Sequence, residues 1–149
     1  MTAQLVKKLR AAKPQDRSDF NRMGLRLTYL KSGVFRDGYK VTRCDAVVKF
    51  PKGDEGKEHT RAEVARIRRL RNSPVLRPYL PEILYYDSRA GIVVMRYYPK
   101  FRSFETQVDT MCNMVERLIR AATGCRVSDL HSENIHDHDG DAVIIDLGY

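Results

Sequence analysis

Three short runs with strand-like composition follow one another between Leu25 and Phe50, and they constrain the fold more than any other feature. Their sequences are LRLTYLKSG, YKVTRC and DAVVKF, with Gly33, Gly38 and Asp45 at the breaks between them. Strands joined by links of so few residues pair in the antiparallel direction. The runs therefore predict three antiparallel strands of one sheet.

A helix and two more strands are predicted after these runs. The segment PKGDEGKEH is polar and contains glycine, which is typical of a loop. The next segment, TRAEVARIRRLRN, has the apolar spacing of a helix and ends before Ser73-Pro74. The runs LPEILYYD and GIVVMRYYPKF predict two strands that form a hairpin at DSRAG.

The last part of the chain is predicted to form a long helix and a further hairpin. Apolar residues share one helical face between Phe104 and Ala122, and Gly124 suits the end of that helix. The runs ENIHDH and AVIID flank Asp139-Gly140, a dipeptide that favours two-residue hairpin turns. Because most strands form hairpins and helices lie between them, the predicted fold class is α+β.

Length and composition are those of an ordinary globular domain. The chain has 149 residues, of which 42% are hydrophobic and 31% charged, and it contains no apolar run of the length that spans a membrane. Residues 4–13 have a basic helical pattern that Pro14 ends, without the apolar core of a secretory signal. Three cysteines without a C-x-x-C pair indicate a reducing compartment, so we expect a cytoplasmic protein.

The net charge of +8, from 27 basic and 19 acidic residues, is typical of proteins with acidic partners, nucleic acids among them. The densest basic cluster is RIRRLR, from Arg66 to Arg71. The same helix needs Val64, Ile67 and Leu70 for packing, which favours a solvated helix face over a nucleic-acid contact. Nucleic-acid binding stays an alternative that is not favoured.

The end of the sequence contains a group of polar residues with informative spacing. Asp129 and Asn134 are five positions apart in DLHSEN, and Asp146 follows the predicted hairpin in IIDLG. This arrangement resembles the catalytic core of the protein-kinase-like superfamily, where an Asp-x-x-x-x-Asn loop precedes a hairpin and Asp-Phe-Gly. The resemblance implies that Asp129 is the catalytic base and that Asn134 and Asp146 bind Mg²⁺, which prefers oxygen ligands.

Upstream residues extend this resemblance over about residues 25–149. Lys49, in AVVKF on the third predicted strand, matches the family's phosphate-contacting lysine, and Glu63 on the next helix matches its ion-pair partner. Thr60 and Glu63 also fit the T-x-x-E pattern that begins helices, but the complete set of matches favours the ion pair. The resemblance implies that ATP is bound, with Gly33 in the phosphate-binding loop. The hinge that holds adenine would be Met95, Arg96, Tyr97 and Tyr98.

The sequence departs from the family pattern in two motifs. Lys31 and Arg36 stand where the phosphate-binding loop has its outer glycines. The His-Arg-Asp triplet is replaced by Val127-Ser128-Asp129, whereas His131 gives the form D-x-H-x-x-N. That form resembles aminoglycoside and choline phosphotransferases, so His131 is included among the expected catalytic residues.

The resemblance also implies a division into regions and a reduced large lobe, because the sequence ends soon after Asp146-Leu147-Gly148. The regions are a basic helical extension (1–24), a small lobe of five antiparallel strands and one helix (25–95), and a hinge with a truncated large lobe (96–149). Uncovered apolar surface would favour a homodimer or a protein partner. We expect an ATP- and Mg²⁺-dependent phosphotransferase that acts on a protein or small-molecule hydroxyl. The alternative is a pseudokinase that serves as a protein-binding module.

Overall fold

The structure is a computed structural model that describes residues 2–101, 105–124 and 132–145. The fold is α+β, as predicted, with a five-stranded antiparallel sheet and four α-helices among the described residues. These residues fall into two compact units, one formed by 2–64 with 82–97 and the other by 65–81 with the residues from 98 onward.

The first unit contains the five-stranded sheet, whose strands lie in the order β1-β2-β3-β5-β4. The strands are β1 (Leu27–Ser32), β2 (Arg36–Val41), β3 (Ala46–Pro51), β4 (Ile83–Asp87) and β5 (Ile92–Arg96). Hairpins join β1 to β2, β2 to β3 and β4 to β5. Gly33 and Asp45 lie in turns as predicted, whereas Gly38, which was predicted at a break, lies within β2. Strand β3 is central, because it pairs with β2 on one side and with β5 on the other.

Two N-terminal helices pack on one face of this sheet. They are α1 (Thr2–Ala12) and α2 (Arg17–Arg22), and they bury Leu5, Leu9 and Phe20. These three side chains join one hydrophobic core with residues of the sheet, namely Val41, Ala46, Val48, Leu84, Ala90, Ile92 and Val94. The six-residue α2 was not predicted, because so short a segment cannot display a helical period.

Helix α3 (Gly53–Leu70) begins earlier than the sequence indicates, so the loop predicted for PKGDEGKEH is wrong. Its first turn carries Asp54 and Glu55, whose negative charges interact favourably with the helix dipole. The sequence misleads because Gly56, a residue typical of loops, lies inside the helix. A Cβ at Gly56 would collide with the backbone carbonyl oxygen of Phe35, so this close approach requires glycine.

The early start of α3 also settles the role of Thr60. The Thr60 hydroxyl donates a hydrogen bond to the Gly56 carbonyl oxygen at 3.1 Å, which is an interaction of a helix interior. Thr60 is therefore not a capping residue, and the T-x-x-E pattern does not begin this helix.

The two faces of α3 agree with its apolar spacing. Val64, Ile67 and Leu70 are buried, whereas Arg68 and Arg69 are exposed. Arg68 and Arg69 of the RIRRLR cluster thus lie on a solvated helix face, as the sequence favours. Neither α3 nor another helix in the described part of the chain is both long and apolar enough to cross a membrane.

The second unit contains helix α4 (Glu105–Thr123) and a hairpin of β6 (Ile135–His138) and β7 (Asp141–Ile144), which pack together. Short 3₁₀ helices at Arg77–Tyr79 and Ser132–Asn134 belong to the same unit, and the first of these packs against β7. The 3₁₀ helices were not predicted, because three residues carry no periodic signal.

Two turn predictions in this unit are confirmed. Gly124 has a φ of 71°, and its N–H bonds to the Arg120 carbonyl at 2.8 Å, which ends α4 as expected of a C-terminal glycine. Asp139 and Gly140 have φ values of 53° and 92°, the left-handed conformation that a two-residue hairpin turn of this kind requires.

The carboxylate of Asp87 stabilises the β4–β5 hairpin, and its effect should depend on pH. It accepts hydrogen bonds from the backbone N–H groups of Arg89 and Ala90, both at 2.9 Å, and from the Gln15 side chain at 3.0 Å. Burial acts to raise the pKa of Asp87, but these hydrogen bonds outweigh it and hold that pKa below its usual value. The stabilisation is therefore complete above about pH 4 and is lost as the pH falls through the folded-state pKa.

We predict that Asp87→Ala lowers the free energy of unfolding by about 1 kcal/mol at pH 7, the typical net value of a hydrogen bond. The difference from wild type should shrink as the pH falls below about 4, because protonation weakens the same hydrogen bonds. Thermal unfolding of both proteins over a pH series measures this difference in stability. Asp45→Ala, at an exposed position of the β2–β3 turn, is the control. A difference that stays constant down to pH 2 would contradict the role given to the carboxylate.

Candidate functional site

The buried carboxylate of Glu63 is the centre of the candidate site in the first unit. Glu63 lies on α3 with a side chain that is 0% exposed. The Lys49 Nζ atom, on the central strand β3, lies 3.2 Å from Glu63 Oε1. The ion pair expected from the sequence is thus present, and the Lys49 side chain remains 16% exposed.

Arg36 is a second cation on the same carboxylate. Its two terminal nitrogens donate to Glu63 Oε1 and Oε2, both at 2.9 Å, in a bidentate ion pair. The Arg36 side chain is only 7% exposed. The sequence pattern predicts Arg36 at a glycine position of the phosphate-binding loop and does not indicate that Arg36 is a partner of Glu63.

The strand register explains why both cations reach Glu63. Gly38 on β2 lies directly opposite Lys49 on β3, so the two residues share one face of the sheet. Arg36 is two positions from Gly38 and therefore lies on that face as well. Because Gly38 has no side chain, nothing at this position separates Arg36 from Lys49. The period of two was visible in the sequence, but the pairing of β2 with β3 was needed to use it.

The β1–β2 turn, residues 33–35, is the predicted phosphate-binding loop. The Gly33 N–H bonds to the Arg36 carbonyl at 2.8 Å, so this amide cannot also donate to a phosphate while the hairpin is closed. The Phe35 carbonyl accepts from the Lys52 N–H at 2.7 Å, and Lys52 Nζ donates to the Gly33 carbonyl at 2.6 Å. Val34, at the tip, is 84% exposed. The turn is thus held at its base and open to solvent at its tip.

The four predicted hinge residues differ in how their backbones are engaged. Met95 and Arg96 end strand β5, and the N–H groups of Arg96 and Tyr97 donate to the Glu82 and Asp45 carbonyls, both at 2.9 Å. These two amides are therefore not available to adenine. Any contact with adenine has to use other backbone groups of the segment.

Tyr98, the fourth hinge residue, belongs to the second unit and is buried. Its carbonyl oxygen lies 2.6 Å from His136 Nδ1 and accepts a hydrogen bond from that nitrogen. The His138 ring packs edge-on against the Tyr98 ring, with centroids 5.4 Å apart. Both histidines therefore stabilise the chain at Tyr98, a role that sequence analysis did not assign to them.

Asn134 is the one predicted metal ligand among the described residues, and it also lies in the second unit. It is 5% exposed, and its backbone carbonyl accepts from the Ile145 N–H at 2.9 Å. The other expected site residues lie outside the described residues, namely Asp129 and His131 of the catalytic loop and Asp146 after the hairpin. Their roles stay predictions.

Potential metal ligands do not cluster in the part of the chain that the structure describes. Residues 2–101, 105–124 and 132–145 contain no group of three or more His, Cys, Asp or Glu side chains that could hold a metal ion. The amide oxygen of Asn134 is a suitable ligand for Mg²⁺. The predicted site needs the Asp146 carboxylate in addition, so it stays a prediction.

Comparisons with known proteins include a distant similarity to a solved structure. No protein-family model matches the sequence, and no curated protein matches it. A crystal structure of a choline/ethanolamine kinase family protein from Mesorhizobium loti is similar to this chain with a TM-score of 0.48 and 15% sequence identity. The similarity covers 100% of this chain and 65% of that one, so this chain spans less than two thirds of the length of the kinase structure. A similarity of this degree assigns neither an activity nor a substrate.

We predict that Glu63→Gln lowers the free energy of unfolding by about 3 kcal/mol, because it removes the carboxylate from two largely buried cations. Lys49→Met should cost much less, since the Arg36–Glu63 pair survives. Glu58→Gln is a matched control on the same helix, where the pair with Arg61 is exposed and contributes at most about 1 kcal/mol. Urea unfolding measures all three variants. Equal losses for Glu63→Gln and Glu58→Gln would contradict a central role for Glu63.

We predict that Gly56→Ala destabilises the protein, although alanine is favoured over glycine by about 1 kcal/mol in a helix interior. The added methyl group would collide with the Phe35 carbonyl and force the β1–β2 turn away from α3. Asn113→Ala, at an exposed position of α4, is the control and should raise or preserve the melting temperature. A higher melting temperature for Gly56→Ala would show that the Phe35 carbonyl does not approach Gly56 closely enough to exclude a methyl group.

Proposed function

We propose that this protein is an ATP- and Mg²⁺-dependent phosphotransferase with a kinase-like fold, acting on a hydroxyl group of a protein or small molecule. The observation that carries the proposal is the ion pair between Lys49 on β3 and Glu63 on α3. It lies on the two elements that the resemblance to kinases requires. The order of strands and helices around it supports the same assignment.

Lys49 is the residue proposed to bind the phosphates of ATP. Its side chain is largely buried yet 16% exposed, so part of it can be reached from solvent. Glu63 holds that amine in position, and positioning is a major part of catalysis in phosphoryl transfer. The β1–β2 turn lies close by in sequence and structure, because Arg36 at its base bonds to the same carboxylate.

The residues proposed to carry the chemistry come from the catalytic loop and from the segment after the hairpin that follows it. Asp129 accepts the proton of the acceptor hydroxyl, whose oxygen then forms a bond to the γ-phosphorus while the bond to the leaving ADP oxygen breaks. Asn134 and Asp146 would hold Mg²⁺, which neutralises charge on the phosphates. His131, in the D-x-H-x-x-N form, is proposed to act beside Asp129 in the same loop.

A second candidate function is a pseudokinase that binds a protein partner or a second copy of the chain. Two observations favour it. Arg36 bonds to both oxygens of Glu63, and Lys49 shares one of them. The Gly33 amide is likewise engaged within the turn. Both features would weaken the binding of nucleotide relative to an ordinary kinase.

We predict that the purified chain transfers phosphate from radiolabelled ATP in the presence of Mg²⁺, to itself or to an acceptor in a cell lysate. Lys49→Met, Asp129→Ala and Asp146→Ala should each lower the rate by at least about a hundredfold, the effect of losing one well-placed charged group in catalysis. Lys8→Met, at an exposed position of α1, should leave the rate unchanged.

Two results would oppose the proposal in different ways. Transfer that survives in both Asp129→Ala and Asp146→Ala would refute the roles of these carboxylates. No thermal stabilisation of the protein by millimolar ATP with Mg²⁺ would favour the binding module, because a ligand that binds only the folded state raises its stability. Light scattering of the same sample would then test for a homodimer.

A further inference from the structure

An open cleft of about 520 Å³ lies in the first unit, on the face of the sheet that carries α1 and α2. Its floor is formed by Tyr39 of β2 and Phe50 of β3, which pack against the hydrophobic core of that face. Because Phe50 follows Lys49 on the same strand, the two side chains point to opposite faces of the sheet. The cleft is therefore separate from the ion pair of Lys49 with Glu63, and its volume is within the range of small-molecule sites.

The floor of the cleft is suited to contact with a planar ring. The Tyr39 and Phe50 rings lie edge to face with centroids 5.7 Å apart, and Phe50 packs in the same way on the buried Phe20 ring, with centroids 5.4 Å apart. A further aromatic ring can extend such a row with favourable edge-to-face or offset contacts. Both floor residues are half-buried, so each offers part of its apolar surface to a ligand.

Three cations line the same cleft, namely Arg17, Lys57 and Arg89. The Arg17 guanidinium lies 5.0 Å from the centroid of the Tyr39 ring and donates to the Tyr39 hydroxyl at 2.9 Å, which holds it beside the aromatic floor. Within residues 2–101, 105–124 and 132–145, the side chains of Lys57 and Arg89 make no hydrogen bond or ion pair. These two cations are therefore available to an anion from solution.

Two carboxylates also line the cleft, and each has partners of its own. Asp16 accepts hydrogen bonds from a side chain and a backbone N–H of α2, at 2.7 and 3.0 Å. Asp37 lies 3.5 Å from the amine of Lys52, a residue that does not line the cleft. Three cations thus face two carboxylates, and the cleft has a net positive charge.

Two contacts hold the walls of the cleft in place. A Cβ on Gly91 would lie 2.6 Å from Lys57 Cγ, so glycine allows the β4–β5 turn to pack directly on the Lys57 side chain. Gln15 Nε2 donates to Asp87 Oδ2 at 3.0 Å, which ties the segment before α2 to the same turn. The cleft is thus formed without a ligand, and a preformed site binds at a lower entropic cost.

We propose that this cleft binds a small organic anion that combines a planar ring with a phosphate or carboxylate group. The ring lies on Tyr39 and Phe50, and the anionic group pairs with Lys57 and Arg89. Guanidinium and ammonium groups form strong, charge-assisted hydrogen bonds with both kinds of anion. The inference does not rest on the proposed function, because no residue of the cleft belongs to the proposed phosphotransferase site.

Phenyl phosphate is the probe for this site, titrated into isotope-labelled protein at low ionic strength and followed by NMR. We expect saturable shifts of the backbone N–H signals of Lys57, Arg89 and Ala90, with a dissociation constant on the order of 1 mM for so small a ligand. Inorganic phosphate, which lacks the ring, should bind at least about tenfold more weakly, and benzyl alcohol, which lacks the charge, should cause no saturable shift. Shifts that cluster at Gly33 and Lys49 instead, or equal binding of inorganic phosphate, would overturn the inference.

Variants that each remove one charge test the assignment of the anionic group. Lys57→Met and Arg89→Met should each weaken the binding of phenyl phosphate about tenfold, the effect of losing one hydrogen bond to a charged group. The controls are Arg61→Met, at an exposed position of the same helix, and Lys49→Met, on the other face of the sheet, and both should leave the dissociation constant unchanged.

Arg89 is exposed, so Arg89→Met keeps the test valid if Lys57→Met does not fold. Unchanged binding in Arg89→Met would overturn the inference. Equal weakening by Arg89→Met and Arg61→Met would also overturn it, because phenyl phosphate would then follow only the overall positive charge of the protein.

Discussion

A carboxylate with no exposed surface has to be compensated where it lies, and in this protein Glu63 is compensated by cations from two neighbouring strands. Arg36 and Lys49 can both reach it because β2 and β3 pair in a register that puts them on one face, with Gly38 between them. The cost of breaking such a pair is several kcal/mol, a large part of the stability of a domain this size. The position of α3 against the strands and the chemistry available at Lys49 therefore depend on the same three side chains.

Much of the fold could be predicted from the sequence, because its signals are local. Asp139-Gly140 specifies a hairpin through the conformations that these two residues adopt readily, and Gly124 ends α4 for the same kind of reason. The five strands and the two long helices carry clear apolar patterns, which need no knowledge of distant residues. The ion pair of Lys49 with Glu63 was predictable through the resemblance to kinases, which supplied the pairing that composition alone does not contain.

What the sequence did not predict depends on residues that are far apart in the chain. The start of α3 was misread because Gly56 has the composition of a loop, and only the nearby Phe35 carbonyl explains why a glycine lies there. Arg36 was assigned to a loop position because its partner lies 27 residues further on. Asp129 of the catalytic loop and Asp146 after the hairpin stay predictions from spacing, and Asn134 is the one proposed metal ligand among the described residues.

The packing of α1 has a practical consequence for anyone who handles this protein. The sequence predicts a basic helical extension over residues 1–24, yet Leu5 and Leu9 of that segment are buried in the core on one face of the sheet. A version that starts at residue 25 would present that face to water as a continuous apolar surface, and such surfaces drive aggregation. Recombinant production should therefore keep the first helix intact, and a purification tag at the N-terminus should be separated from it by a flexible linker.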